Sequence, residues 1–499
     1  MSSPSYLLAI DQGTTNSRAH VFSFSGKLIS TQQIALTQHY PQAGWLEQSP
    51  EEMWLNTLEC CRQALNKNKL AATDIAAMGI TNQRETTIIW DKKTGETIYP
   101  AINWQDRRTA ELCSQLTQHS LSKQLQEKTG LLLDPYFSAS KIAWVLEQVE
   151  GARQRAEKGE LLFGTIDTFL LWRLTKGKMH ATDATNASRT LLFNIRTQQW
   201  DHDILNMFNI PICLLPQVLD SSADFGKVDA AFFGHEIPIA SMVGDQQAAL
   251  IGQTCFQPGM IKSTYGTGCF IVLNTGNKLV ISSQHLLSTI AYRIKGNVTY
   301  ALEGSIFSAG TTIKWLRDKL KLIQSSEETE ILAQKIEDTG GVYLIPAFTG
   351  LGAPYWDPYA RAALVGLNFN SGVAQIARAA LEAVVYQTRD LIDAMIKDSP
   401  QLQLSFIKVD GGMAANNWLL QFLADILNLK VERPVCTETT ALGAAFLAGL
   451  QIGIYQSLDE IAALWQLNKE FLPTMSAEKC ANLYAGWQCA LLTIKKRKY

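Results

Sequence analysis

Ala9-Ile10-Asp11-Gln12-Gly13-Thr14-Thr15-Asn16-Ser17-Arg18 is a polar stretch set between two apolar ones. Tyr6-Leu7-Leu8-Ala9-Ile10 before it has the length and composition of a strand. Ala19-His20-Val21-Phe22-Ser23-Phe24 after it alternates as a half-buried strand does. The polar stretch is therefore expected to be a turn between two strands. Gly13 lets the backbone approach a ligand closely. Thr14, Thr15 and Ser17 add hydroxyls, and successive turn N–H groups form anion-binding nests. Arg18 adds permanent positive charge, and Asp11 is of a type that holds Mg²⁺, through water, beside phosphates. An ordinary polar hairpin has the same local signature. A similar stretch, Ser263-Thr264-Tyr265-Gly266-Thr267-Gly268-Cys269-Phe270, recurs between apolar segments near the middle of the chain.

The chain has 499 residues, which favours two large domains over one. Its 46% hydrophobic and 18% charged residues suit a globular protein with a sizeable core. A net charge of −2 supplies no basic field for nucleic acid. The basic run Lys495-Lys496-Arg497-Lys498 reads as a solvated tail. No basic-plus-apolar leader precedes the first strand, and no apolar run reaches ~18 residues, so neither an export signal nor a membrane span is expected. The nine cysteines form no C-x-x-C pair, and their odd, dispersed pattern suits a reducing cytoplasm. The histidines show no metal-ligand spacing.

Leu28 to Ala35 reads as a third strand after Gly26. Ser49, Pro50 and Glu52 form a helix start with a capping box, and Trp54, Leu58, Cys61 and Leu65 share one helical face. Asn82-Gln83-Arg84-Glu85 lies at the end of the strand Ile75 to Thr81, where α/β sheets bind ligands. Arg84 donates and Glu85 accepts, a pairing suited to hydroxyls and equally to a surface salt bridge. Helices are expected over Thr109–His119 and from Lys141 onward, and a polar loop over Asp183–Ser188. Asp167-Thr168 is placed at a turn. Asp245 follows the short strand Pro238 to Val243 and opens a helix, as N-cap or as reactive base. The domain boundary falls between about Gly252 and Gly259, giving domains 1–254 and 255–499. In the second half, Glu303 to Gly310 is expected to open a helix, and the strand Phe406–Asp410 runs into Gly411-Gly412 and a helix start, which favours a nucleotide near the helix N-terminus. Each half thus opens with a hairpin of phosphate-binding type and continues with βα units. A duplicated α/β architecture with a cleft between the halves follows. The P-loop, the G-x-G-x-x-G fingerprint and the protein-kinase motifs are absent.

This combination resembles the FGGY carbohydrate kinases of the actin/hexokinase/heat-shock-70 ATPase superfamily, and within them the branch that phosphorylates glycerol. The resemblance runs from about Leu7 to Trp487 and rests on long motifs, among them DQGTTNSR, GITNQRETT at Gly79–Thr87, WQDRRT at Trp104–Thr109 and DPYFSASK at Asp134–Lys141. GDQQAAL at Gly244–Leu250, YGTGCF at Tyr265–Phe270, GLGAPYWDPYAR at Gly350–Arg361 and VDGGMAANN at Val409–Asn417 continue it in the family's order. It implies two ribonuclease-H-like domains around a nucleotide cleft. Arg84, Glu85, Tyr136, Asp245 and Gln246 match residues that hydrogen-bond glycerol, and Trp104 and Phe270 match the aromatic pair against its carbons. Thr14, Thr15, Asn16 and Arg18 match the first phosphate site and Thr267 the second. Gly310 lies on the ribose and phosphate side, Lys314 stands at a nucleotide-contacting position, Gly412 and Asn416 match the adenine side, and Asp11 the Mg²⁺ position. Asp245 matches the general base for ATP-dependent transfer, with the pKa near ~3.9 of an exposed carboxyl. A homodimer or homotetramer is the implied assembly.

Other FGGY kinases act on longer substrates such as xylulose or gluconate; the Arg84-Glu85 pair and Trp104 favour the short triol. An actin-like filament or chaperone ATPase would share the nucleotide cleft but has no use for the polyol residues. Asn16 stands where many members have Ser or Thr, and Lys314 where well-studied bacterial members have Gln. The segment Val228–Glu236, VDAAFFGHE, lacks the Gly-rich, Arg-containing pattern that binds fructose 1,6-bisphosphate in some bacterial relatives, and its Glu236 repels such an anion. Addition of fructose 1,6-bisphosphate to an ADP-release assay is therefore expected to leave the rate unchanged; strong inhibition would contradict this reading of the loop.

Overall fold

The computed structural model describes residues 4–117 and 121–495. Its first half is built on strands β1 (Tyr6–Gln12), β2 (Asn16–Ser23), β3 (Leu28–Ala35), β4 (Ile75–Asn82), β5 (Lys227–Val228) and β6 (Ile237–Gly244). They form one sheet in the order β5-β6-β4-β1-β2-β3. β1, β2 and β3 are antiparallel neighbours, whereas β4 and β6 continue the sheet in parallel from β1. The second half repeats this scheme with β7 (Ile261–Tyr265), β8 (Cys269–Gly276), β9 (Leu287–Ile294), β10 (Asn297–Ile306), β11 (Phe406–Asp410), β12 (Lys430–Pro434) and β13 (Leu467–Phe471). Here β7, β8 and β10 are antiparallel, β11 and β12 parallel, and the order is β9-β10-β8-β7-β11-β12-β13. The duplicated, actin-like α/β architecture expected from the sequence is present in both halves. Among the described residues, no helix is long and apolar enough to cross a membrane.

The alternation in β1–β3 settles which faces are buried. All of β1 after Tyr6 is buried, because the sheet is covered on both sides, while edge strand β3 alternates. Helix α1 (Pro50–Lys67) covers one face through Trp54, Leu58, Cys61 and Leu65. Ser49 caps it by accepting from Glu52 N, but the expected capping box does not close. Glu52 instead accepts from the Thr37 N–H and hydroxyl, a tertiary contact that outcompetes the local one.

Three further expectations change. Asp183–Ser188 is not a loop: Asp183 caps the short helix α3 (Ala184–Ala187), accepting from Thr185 N and Asn186 N. Asp167 and Thr168 lie inside the helix Ile166–Leu174, not at a turn. Glu303 to Ile306 is the end of strand β10, and the helix begins only at Gly310. The helix expected over Thr109–His119 runs as Ala110–Thr117, and His119 and the tail from Lys496 lie outside the described residues. Between α1 and α3 stands α2 (Ser138–Gln148).

The two halves meet through helices α4 (Asp245–Gly252) and α8 (Thr439–Gln451). Between these come α5 (Gly310–Asp318), α6 (Val373–Asp398) and α7 (Asn417–Leu427). A side chain on Gly443 would overlap Ala248 O, and one on Gly252 would overlap Thr439 O. The glycines therefore set how closely α4 and α8 approach. Gly443→Ala forces them apart and should cost about 1–3 kcal/mol, read as a lower thermal midpoint; an unchanged midpoint would sink this account of the interface.

Candidate active site

The turns of the two hairpins face one cleft of about 440 Å³. Gly13 N donates to Asn16 O at 3.0 Å to close the first turn, and Gly266 N to Gly268 O at 2.9 Å to close the second. Thr14, Thr15, Asn16, Arg18 and Thr267 all line the cleft, as expected. The Thr14 hydroxyl accepts from Trp104 Nε1 at 2.9 Å, which leaves its own proton to donate. Asp11 and Arg18 sit opposite each other in the β1–β2 register, with Arg18 Nη1 3.4 Å from Asp11 Oδ2. Burial pushes the Asp11 carboxyl up to about 6; Arg18 opposes this, while Asp245 and Glu438 add to it.

Arg84 and Glu85 are not a surface salt bridge. Both are buried at the end of β4, where Glu85 takes a left-handed backbone with φ of 62°. Ser138 Oγ, at the start of α2, holds the Glu85 carbonyl at 3.0 Å. Buried Lys141 donates to Tyr136 O at 2.6 Å and reaches Glu85 O at 3.5 Å, so one ammonium ties together two residues that face the cleft. The Arg84 guanidinium is gripped from β10. Its Nη1 lies 2.5 Å from Glu303 Oε2 and its Nη2 2.8 Å from Glu303 Oε1. Nη1 also donates to Gln247 Oε1 at 3.0 Å, and Nε lies 3.2 Å from Asp245 Oδ1. Arg189, just beyond α3, donates from Nε to Glu85 Oε1 at 2.7 Å and from Nη2 to Glu303 Oε1 at 3.1 Å. Burial alone would raise the Glu303 carboxyl; Arg189 and Arg84 together hold it down at about 2.

Asp245 sits at the first turn of α4, with Gly244 as the cap, so it is not the N-cap. Its Oδ1 accepts from Gln246 N at 2.7 Å and faces Arg84 Nε, and no bond among the described residues occupies its second oxygen. The unperturbed carboxyl expected from sequence is corrected by the fold. Burial raises the Asp245 pKa, against the lowering pull of Arg84 and Lys262. Trp104 stands between Tyr136, at a ring separation of 5.4 Å, and Phe270, at 6.1 Å, and all three line the cleft with Gln246.

Gly310, Lys314, Gly412 and Asn416 lie beyond these walls. Gly310 donates its N–H to Gly266 O behind the second turn. Lys314 is exposed one helical turn further along α5. Gly412 is exposed, with open space where a side chain would stand. Asn416 caps α7 by accepting from Leu419 N at 2.9 Å. Sequence reasoning missed Glu303, Arg189, Gln247 and Lys262. The signal for Glu303 and Lys262 is a lone charge inside an apolar strand, Ala301-Leu302-Glu303-Gly304 and Met260-Ile261-Lys262-Ser263.

The model of the FGGY family of carbohydrate kinases matches the chain with its N-terminal domain over residues 6–252 and its C-terminal domain over residues 261–452. The chain belongs to this family. The FGGY kinase is 57% identical to a glycerol kinase of Coxiella burnetii over 488 residues, 98% of this chain and 97% of that protein. It is 56% identical to glycerol kinase 1 of Pseudomonas aeruginosa over 490 residues, 98% of this chain and 99% of that protein. A crystal structure of Plasmodium falciparum glycerol kinase with ADP superposes with a TM-score of 0.93 at 37% identity, covering 100% of this chain and 99% of that one.

The raised Asp11 pKa makes the free FGGY kinase sensitive to pH. Asp11 contributes fully to stability below the ordinary Asp range, and that contribution is lost as pH rises through about 6. Above it, the ionised buried carboxyl costs on the order of 3 kcal/mol. Asp11→Asn cannot ionise, so its thermal midpoint relative to wild type should rise by a few degrees between pH 5 and pH 7.5, without nucleotide or metal. A difference that does not change with pH would refute the assignment.

Proposed function

We propose that this protein is a glycerol kinase that catalyses ATP + glycerol → ADP + sn-glycerol 3-phosphate. The observation that carries the reading is Asp245. One of its oxygens is tied by Arg84 Nε and Gln246 N, the other is unoccupied, and it shares a cleft with both phosphate-type turns. The named relatives supply the substrate, and the short wall of Trp104, Tyr136 and Phe270 fits a three-carbon chain.

In this reading the primary hydroxyl oxygen of glycerol attacks the γ-phosphorus in line. The bond from that phosphorus to the β-phosphate oxygen breaks, ADP leaves, and the hydroxyl proton passes to Asp245. Burial makes Asp245 a stronger base than a free aspartate, and a loose transition state lets the proton leave late. Arg84, Glu85, Tyr136 and Gln246 hold the hydroxyls; such a site rejects ligands that leave its buried polar groups unpaired. Thr14, Thr15, Asn16, Arg18 and Thr267 hold phosphate oxygens, and Gly310, Lys314, Gly412 and Asn416 flank the nucleoside.

Asp11 fits Mg²⁺: it offers hard oxygen donors, and its carboxyl is raised by burial and by two further acids with only Arg18 opposed. Among the described residues no group of three His, Cys, Asp or Glu could hold a metal alone, which suits an ion bound by one carboxylate and substrate phosphates. Bound there, Mg²⁺ supplies charge neutralisation at the phosphates. The nine free cysteines suit a cytoplasmic location. The homodimer or homotetramer rests on the family resemblance.

ADP release from Mg²⁺-ATP should require glycerol and be slow with xylulose, gluconate or erythritol. Asp245→Asn should lower kcat by about 10²–10⁴-fold. Turnover on a longer sugar would void the glycerol assignment, polyol-independent ATPase activity would favour an actin-like ATPase, and an active Asp245→Asn variant would remove the base.

A further inference from the structure

We propose that Lys262 is a positioning residue of the polyol site, which aims the side-chain amide of Gln246 into the cleft with its NH₂ group foremost. The inference rests on the glycerol reading above. Lys262 stands in β7 and is fully buried. Its ammonium has donors only, and it spends them on Gln246 Oε1 at 2.5 Å, Thr264 Oγ1 at 3.0 Å and Phe270 O at 3.4 Å. The oxygen and nitrogen of an amide exchange places by a half-turn of the last side-chain bond, and the neighbours decide between the two. Here the neighbour is a cation, so the oxygen turns to it. Both N–H groups of Gln246 are then left for the cleft that this residue lines. Without the ammonium that preference is lost, and the amide oxygen can turn towards the cleft. The same ammonium grips the carbonyl of Phe270, whose ring is part of the aromatic wall. One buried cation therefore joins Gln246 of the first half to Phe270 and Thr264 of the second.

Lys408 provides an internal comparison. It pairs with Lys262 in the β7–β11 register and is also buried. It donates to Gln253 O at 2.8 Å and Thr254 Oγ1 at 3.1 Å, neither of which lines the cleft. A lysine that serves the fold alone looks like Lys408; Lys262 differs in ending on a side chain that faces the substrate.

Steady-state kinetics of Lys262→Met, Lys262→Gln, Lys408→Met, Gln246→Ala and the double variant Lys262→Met/Gln246→Ala test the proposal. Lys262→Met should raise the glycerol KM by about 10- to 100-fold and leave the ATP KM unchanged. Lys262→Gln, whose amide can still donate to Gln246, should recover most of the loss. In the Gln246→Ala background, Lys262→Met should add less than about threefold, because the two residues act as a unit. Lys408→Met should lower the thermal midpoint and leave the glycerol KM alone. An unchanged glycerol KM in Lys262→Met, or penalties that multiply in the double variant, would overturn the proposal. Where Lys262→Met does not fold, Gln246→Glu carries the test: it pairs with the ammonium but replaces the facing NH₂ with an acceptor, so glycerol KM must rise. Wild type without glycerol turnover would remove the glycerol reading itself, whereas an active wild type with an unaffected Lys262→Met removes only this role.

Discussion

A buried guanidinium stays charged at any pH a protein survives, and the Arg84 end of the cleft is organised around that constraint. Arg84 is 2% exposed. Its two outer nitrogens meet the two oxygens of Glu303 in the paired geometry that stabilises such ions best. Glu303 in turn shares Arg189 with Glu85. Removing one partner from a buried pair typically costs about 3–5 kcal/mol, so the members stand or fall together. Burial lowers the Lys262 pKa, against the raising pull of Asp410, Glu303 and Asp245. Arg84, Arg189 and Lys262 thus lie among Glu85, Asp245 and Glu303, with Lys141 coupled to Glu85 and Asp410 to Lys262. Opposite charges compensate one another within the empty protein, while Arg84, Glu85, Asp245 and Gln246 still line the cleft.

The end of the cleft formed by the two turns follows a different logic. The two hairpins are built alike but furnished differently. The first carries side chains, Thr14, Thr15, Asn16 and Arg18, around a single Gly13. The second carries Gly266 and Gly268, and a side chain on Gly268 would stand 2.5 Å from Ile306 O. The first turn brings several hydroxyls and a charge, whereas the second sets Thr267 between two glycines whose backbone lies open. Duplication of the sheet puts both at corresponding strand ends, and the close crossing of α4 and α8 turns those ends towards each other.

Features governed by local rules were legible in the sequence. The bounds of β3, the Ser49 cap and the four helical core positions of α1 follow from periodicity and capping chemistry alone. The two hairpins and the strand-end position of Arg84 were equally readable. What escaped depends on partners far apart in sequence. Arg84 and Glu303 are separated by 219 residues, and nothing near Glu303 announces its partner. Glu52 had a local partner in Ser49 and spent its carboxylate on Thr37 instead. The helix α3 has four residues, too few to show a period. The pKa of Asp245 was misjudged because desolvation is a property of the closed fold, not of the motif around it.

The charge network also bears on how Asp245 could serve as a base. Arg84 faces Asp245 with its Nε edge, 3.2 Å from Oδ1, and lowers the Asp245 pKa. Glu303 takes one N–H from each outer nitrogen in a paired contact. Among the described residues, no bond occupies the second Asp245 oxygen. Glu303 further raises the Asp245 carboxyl through like charge, partly offsetting Arg84 and Lys262. A residue of the second half thereby tunes an acid carried by the first, without touching the ligand. Packing of the halves and protonation of Asp245 are then linked: drawing Glu303 away from Arg84 would withdraw a like charge that raises the Asp245 carboxyl.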